Sequence, residues 1–270
     1  MKRKILIPGS LTIVASILFG AQLIYGDRYK TVWEDNFDFD KIDHEFWTVV
    51  TGDGCPDLCG WGNKELQYYT DLPENVRIEN GVLVLEAHLK DTVDSFFSSA
   101  KLATKGKLDF RYGRFEMKAK LPVGRGTWMA FWMLPTVDGN AEWPADGEID
   151  IVEHVGYNPG TIYGAIHTTK YNGMIGTHKV DSVYVKNVDS EFHVYAVEWS
   201  ENEIKWFVDD NMYNHLKRNE DDVAGWPFNQ YDYHLIINLA VGGTWGGKAG
   251  VEKSAFPQRL EIDYVRYLTK

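Results

Sequence analysis

Two-residue alternation governs this chain, and after the first 26 residues no long segment shows helical periodicity. In Arg114-Phe115-Glu116-Met117-Lys118-Ala119-Lys120-Leu121 the odd positions are apolar and the even ones mostly charged. Successive side chains of a strand point to opposite faces, so this pattern predicts a half-buried strand. In Arg77-Ile78-Glu79-Asn80-Gly81-Val82-Leu83-Val84-Leu85 an Asn-Gly pair separates two β-rich runs, which predicts a hairpin. Phe192 to Trp199, Ile204 to Val208, His234 to Val241 and Leu260 to Leu268 read as further strands. Clusters of Gly, Pro, Asn and Asp separate them, as in Pro122 to Gly126 and Gly242 to Gly247. Many short strands divided by turns predict an all-β sandwich or jelly roll of two antiparallel sheets. There is no internal repeat and no linker after residue 30, so residues 27–270 are expected to form one domain.

Residues 1–26 differ from the rest. Lys2, Arg3 and Lys4 precede an apolar run from Ile5 to Tyr25, broken by Pro8, Gly9 and Ser10. This reads as an export signal, and the protein is expected to be secreted. The run is also long enough to span a bilayer, so an uncleaved anchor is the alternative. The net charge is −11. Such acidity disfavours nucleic acid and sulfated polymers and points to a neutral partner. Cys55 and Cys59 are the two cysteines. In an exported protein so close a pair suggests a loop-pinning disulfide, with two free thiols as the alternative. Two thiols without a neighbouring His pair do not make a structural zinc site.

The most informative stretch is Asp146-Gly147-Glu148-Ile149-Asp150-Ile151-Val152-Glu153-His154-Val155. Alternation puts Glu148 and Asp150 on one face, with Ile149 and Ile151 on the other. It would also put Val152, not Glu153, beside the acids. One extra residue in a bulge at Ile151 and Val152 restores Glu153 to the acidic face. Three clustered carboxylates repel one another unless one is protonated or a cation binds. A solvated acidic face and a calcium site are the plainer readings. The apolar neighbours offer too few oxygen ligands for calcium there. Glycoside hydrolysis exploits the conflict, with one carboxylate as nucleophile and the other as acid and then base. In that reading Glu148 attacks, Glu153 protonates the leaving oxygen, and Asp150 orients Glu148 and shares its proton. His154, of opposite parity to Glu153, reads as structural.

Glu148-Ile149-Asp150-Ile151-Val152-Glu153 resembles the signature of glycoside hydrolase family sixteen, in the longer form of the laminarinases, which are endo-1,3-β-glucanases. Further resemblance runs through Gly60 to Thr70, Tyr112 to Glu116, Gly126 to Pro135, Asn238 to Gly243 and Asp263 to Arg266. It implies a jelly roll with a concave, open substrate cleft. It implies that Trp128, Trp132, Trp143 and Trp245 line sugar subsites, although core packing is the alternative for each tryptophan. It further implies that Asn63 binds a sugar hydroxyl and that His167 faces the acid pair. No cofactor is implied for catalysis. A structural calcium is, with Gly81 and Asp263 at the matching positions. The partner is expected to be a β-1,3-glucan, and the protein a monomer.

The chain departs from the family pattern at three places. Asn36 replaces a usual Glu, Met129 a usual Pro, and Asp210 a frequent Gly. Mixed-linkage glucan hydrolysis, transglycosylation and non-catalytic glucan binding are the competing functions. The presence of both glutamates disfavours the last.

Overall fold

A computed structural model describes residues 29–90, 96–139 and 141–270, so the export segment 1–26 lies outside the described residues. Two sheets face each other. The seven-stranded sheet runs, edge to edge, through Lys179–Tyr184, Thr161–His167, Glu148–Val155, Thr127–Thr136, Asp232–Val241, Lys101–Ala103 and Thr48–Val49. The ten-stranded sheet centres on His193–Trp199, Gly113–Lys120, Gln258–Thr269 and Val82–Lys90. This is the all-β jelly roll expected from the alternation.

The core fills the space between the sheets. Ile149, Phe131, Met133, Leu235 and Ile237 come from the smaller sheet; Phe115, Met117, Val197, Leu83 and Ile262 come from the larger, all buried. The Asn80-Gly81 hairpin forms as predicted, pairing Glu79 with Val82. Both turn residues have positive φ, 54° and 75°, which an Asn-Gly pair tolerates.

The strand Gly113–Lys120 differs from its sequence reading on one face. Phe115, Met117 and Ala119 point into the core, and Lys118 and Lys120 are half-buried. Arg114 and Glu116 are buried despite their charge. Arg114 donates to Glu116 at 2.6 Å, Glu198 at 3.3 Å and Asp210 at 3.1 Å, and this pairing offsets desolvation. It also gives Asp210 a task. That residue holds a φ of 66°, a conformation that suits Gly, and its carboxylate meets the Arg114 guanidinium. Cys55 and Cys59 form a disulfide.

Gly81 lies in the hairpin turn and Asp263 on the neighbouring strand of the larger sheet, where Ile262 pairs with Leu83. The Asp263 carboxylate is held by Lys118 Nζ at 2.8 Å, and Asn36 accepts from Arg266 at 3.4 Å. A cationic side chain, Lys118, thus engages the Asp263 carboxylate at the corner where calcium was expected.

Candidate active site

The bulge appears where parity demanded it. Against the strand Thr161–His167, Asp150 pairs with Ala165 and Glu153 with Tyr163, so Ile151 and Val152 together face Gly164. Against Thr127–Thr136, Asp150 pairs with Trp132 and Val152 with Phe131. Ile149, Ile151 and Val152 are buried in the core, and Glu148, Asp150 and Glu153 share the outer face.

A bulge leaves ladder groups unpaired, and a buried unpaired carbonyl is costly. Two buried side chains from the facing sheet meet this need. Trp206 Nε1 donates to the Asp150 carbonyl at 2.7 Å, and Asn214 Nδ2 donates to the Gly164 carbonyl at 3.2 Å. Gly164 makes room for them: a Cβ there would lie 2.4 Å from Trp206 Cδ1.

Glu148 and Glu153 each receive one indole N–H. Trp128 Nε1 donates to Glu153 Oε1 at 2.9 Å, and Trp143 Nε1 donates to Glu148 Oε2 at 2.7 Å. Trp143 is 42% exposed and offers part of its ring to solvent. His167 stands opposite Glu148, its Nε2 3.3 Å from Asp150 Oδ2 and 3.9 Å from Glu148 Oε1, with no hydrogen bond to either, so that Asp150 Oδ2 is buried without a partner. Trp132 donates to Asn238 Oδ1 at 2.8 Å. Trp245 packs edge-on against Trp128 and Tyr163. Asn63 donates to Glu65 at 3.3 Å, at the far end of a chain running through Tyr69 and Asn238 to Trp132. His154 is fully buried and accepts from the Gly160 N–H, and its burial pushes its pKa down to about 4, which fits the structural role assigned to it.

Burial raises the proton affinity of all three acids. Desolvation, then repulsion from Asp150, pushes Glu148 up to about 8, opposed by the Trp143 N–H. Desolvation holds Glu153 at about 7, opposed by the Trp128 N–H. Asp150, only 2% exposed, is pushed well above the usual carboxylate range by burial and then by Glu153. Burial therefore favours the protonated forms throughout the cluster, and repulsion between the acids adds to it. That supplies both a proton donor and, once Glu148 is ionised, a nucleophile.

Lys101, Trp61 and Glu65 adjoin these residues, a placement the sequence does not announce. Lys101 Nζ lies 4.0 Å from the Trp61 ring centre and 5.4 Å from that of Trp132. Burial lowers its pKa to about 8, against the attraction of Glu65 and Glu148. A lone lysine in Ala100-Lys101-Leu102 carries no signal of this placement.

Oxygen and nitrogen atoms of Glu148, Asp150 and His167 lie within 4.8 Å of one another, near enough to hold a metal ion. The imidazole argues against it. Gly173 N–H donates to Nδ1 at 3.1 Å, so the proton of the neutral ring sits on Nε2, the nitrogen facing the carboxylates. A protonated nitrogen offers no lone pair to a metal.

The profile described as glycosyl hydrolases family 16 matches residues 63–266. The beta-glucanase of Rhodothermus marinus is 46% identical over 266 residues, spanning 93% of this chain and 91% of that protein. The X-ray structure of the laminarinase from Rhodothermus marinus aligns with a TM-score of 0.82 at 47% identity, covering 89% of this chain and 97% of that one. SCLam, a non-specific endo-beta-1,3(4)-glucanase crystallised as a mutant with an oligosaccharide at its active site, aligns with a TM-score of 0.82 at 40% identity, covering 90% and 95%. The carboxylate strand, its bulge and these likenesses agree, and the chain belongs to glycosyl hydrolase family 16, whose members need no catalytic cofactor.

Proposed function

We propose that this protein is a secreted endo-1,3-β-glucanase that hydrolyses its substrate with retention of configuration. The observation that carries the reading is the bulged strand, which sets Glu148 and Glu153 on one face with Asp150 between them, each glutamate holding one indole N–H. In the first step a Glu148 oxygen bonds to the anomeric carbon as the glycosidic C–O bond breaks, and the Glu153 proton passes to the leaving oxygen. In the second, the Glu153 carboxylate takes a proton from water. The water oxygen bonds to the anomeric carbon, and Glu148 is released. Two inversions give retention. Asp150 shares a proton with Glu148 and returns negative charge to it as the first bond forms.

Support for the 1,3-linkage comes from the extra residue in the strand, which resembles the laminarinase form, and from the laminarinase of Rhodothermus marinus. A mixed-linkage activity is the second reading, favoured by SCLam, which is described as non-specific. Laminarin and mixed-linkage glucan, each incubated with the protein and sized over time, separate the two. Oligosaccharides from laminarin alone support the first reading, cutting of both supports the second, and products longer than the substrate reveal transglycosylation. Indifference to laminarin removes the first reading.

Secretion rests on the basic start and apolar run of residues 1–26. A structural calcium would draw on backbone carbonyls near Gly81 and Asp263. It would also have to displace Lys118 from the Asp263 carboxylate.

A further inference from the structure

His167 ends its strand and leads into a loop with several internal hydrogen bonds. Between Thr168 and His178 the chain leaves the sheet and returns to it. The Asn172 side chain, 4% exposed, lies at the loop's centre. Its Nδ2 donates to the carbonyls of Thr168 at 3.1 Å and Thr169 at 3.3 Å, and its Oδ1 accepts from Ile175 N at 3.3 Å. Thr177 Oγ1 donates to the Lys170 carbonyl, and Thr177 N donates to the Asn172 carbonyl. Tyr171 and Lys170 tie the loop to Asp222 at 2.7 Å and 3.0 Å. These bonds hold one backbone group, the Gly173 N–H, against His167 Nδ1.

That contact has a chemical consequence. A backbone N–H can only donate, so Nδ1 must present its lone pair. An imidazolium carries hydrogen on both nitrogens and would set an N–H against an N–H. The groups facing His167 are Glu148, Asp150 and Glu153 on the acid strand, Trp143 at 5.9 Å, and His178, whose ring stacks parallel at 5.4 Å. A charged His178 would oppose charge on His167, and the carboxylates would favour it.

We infer that the Thr168–His178 loop is a clasp that fixes His167 as the neutral tautomer whose Nε2–H is turned toward the Glu148–Asp150 pair, with Gly173 and Asn172 as positioning residues. The inference rests on the catalytic roles proposed above. A full positive charge beside the acids would favour their ionised forms and strip Glu153 of the proton it must deliver. A neutral ring turns an N–H toward the pair without that loss.

Two substitutions at one position test the clasp. Gly173 opens a short 3-10 turn, and Asn172 before it is extended at φ −150° and ψ 162°. Proline suits the first residue of such a turn and an extended predecessor, and it lacks the N–H. Gly173→Pro therefore removes the donor and puts ring atoms in its place. Gly173→Ala keeps the donor, and its Cβ would lie 3.4 Å from His167 Cε1, an ordinary contact.

The readouts are the 15N-histidine NMR spectrum of the free enzyme and steady-state kinetics on laminarin. Wild type and Gly173→Ala are expected to show His167 protonated on Nε2 alone. Gly173→Pro should lose this single tautomer, with kcat lower by on the order of tenfold to a hundredfold and KM little changed. The alanine variant should recover most of that loss. If the proline variant does not fold, Asn172→Ala is read in the same way. An Nδ1-protonated or imidazolium His167 at the working pH overturns the inference, as does wild-type turnover in a folded clasp variant. The tautomer is read without substrate, so a failure of the proposed carboxylate roles, seen as ordinary activity in Glu148→Gln, stays distinguishable.

Discussion

Trp128 donates its indole N–H to the Glu153 carboxylate at 2.9 Å, although 25 residues separate them in sequence. The bond favours ionised Glu153, against the burial that raises its pKa to about 7. Trp128→Phe keeps a ring and removes the donor. Glu153 should then hold its proton to higher pH, moving the alkaline limb of kcat/KM upward by up to about one unit. A pH–rate profile measures this, and a downward shift contradicts the assignment of Glu153 as the acid.

Glu148 stores a stability penalty. Its folded pKa, about 8, lies above the ordinary value of 4.5, so the folded state binds the proton more tightly than the unfolded chain. The resulting stabilisation is complete below pH 4.5 and is lost as pH rises through 8. Glu148→Gln removes a charge that must be buried. Its advantage over wild type should grow between these limits, on the order of 4 kcal/mol. Thermal midpoints of the two proteins at pH 5 and pH 8 give the difference. An advantage that shrinks with pH contradicts the raised pKa.

The bulge depends on a partner from the other sheet. Trp206→Phe preserves most of the buried ring and leaves the Asp150 carbonyl without its 2.7 Å donor. The expected cost is about 1–3 kcal/mol of stability. Because that carbonyl belongs to the residue between the two glutamates, kcat should fall more than KM changes. Denaturant melts and laminarin kinetics measure the two effects. Unchanged values for both would show that the bond does not maintain the bulge.

The corner of Gly81 and Asp263 offers a metal test. If calcium binds there against the Lys118 ion pair, chelation should lower the thermal midpoint by a few degrees and added calcium should restore it. Lys118→Ala frees the carboxylate and should enlarge the response. Midpoints that ignore both chelator and calcium in both proteins remove calcium from this account.

Legibility in the sequence followed the range of the interactions. The Asn80-Gly81 hairpin was readable because its signal is contained in one turn. The bulge at Ile151 and Val152 was readable because parity fails within a single strand when acids and aliphatics are both to be placed. What stabilises the bulge was not readable. Trp206 and Asn214 reach it from 56 and 50 residues away, across the core. Arg114 and Glu116 looked like solvent-facing charges, because Glu198 and Asp210, which help neutralise Arg114, are remote in sequence. Lys101 went unread for the same reason, since only the fold brings Trp61, Glu65 and Trp132 around it.

The central claim is that Glu148 and Glu153 act as nucleophile and acid–base in a double displacement. The proton NMR spectrum of laminarin products, recorded within the first minutes before mutarotation, tests it most directly. New reducing ends are expected to appear first in the β configuration and to equilibrate to α later. Reducing ends that appear first as α would mean a single displacement by water, and the role of Glu148 as nucleophile would be wrong.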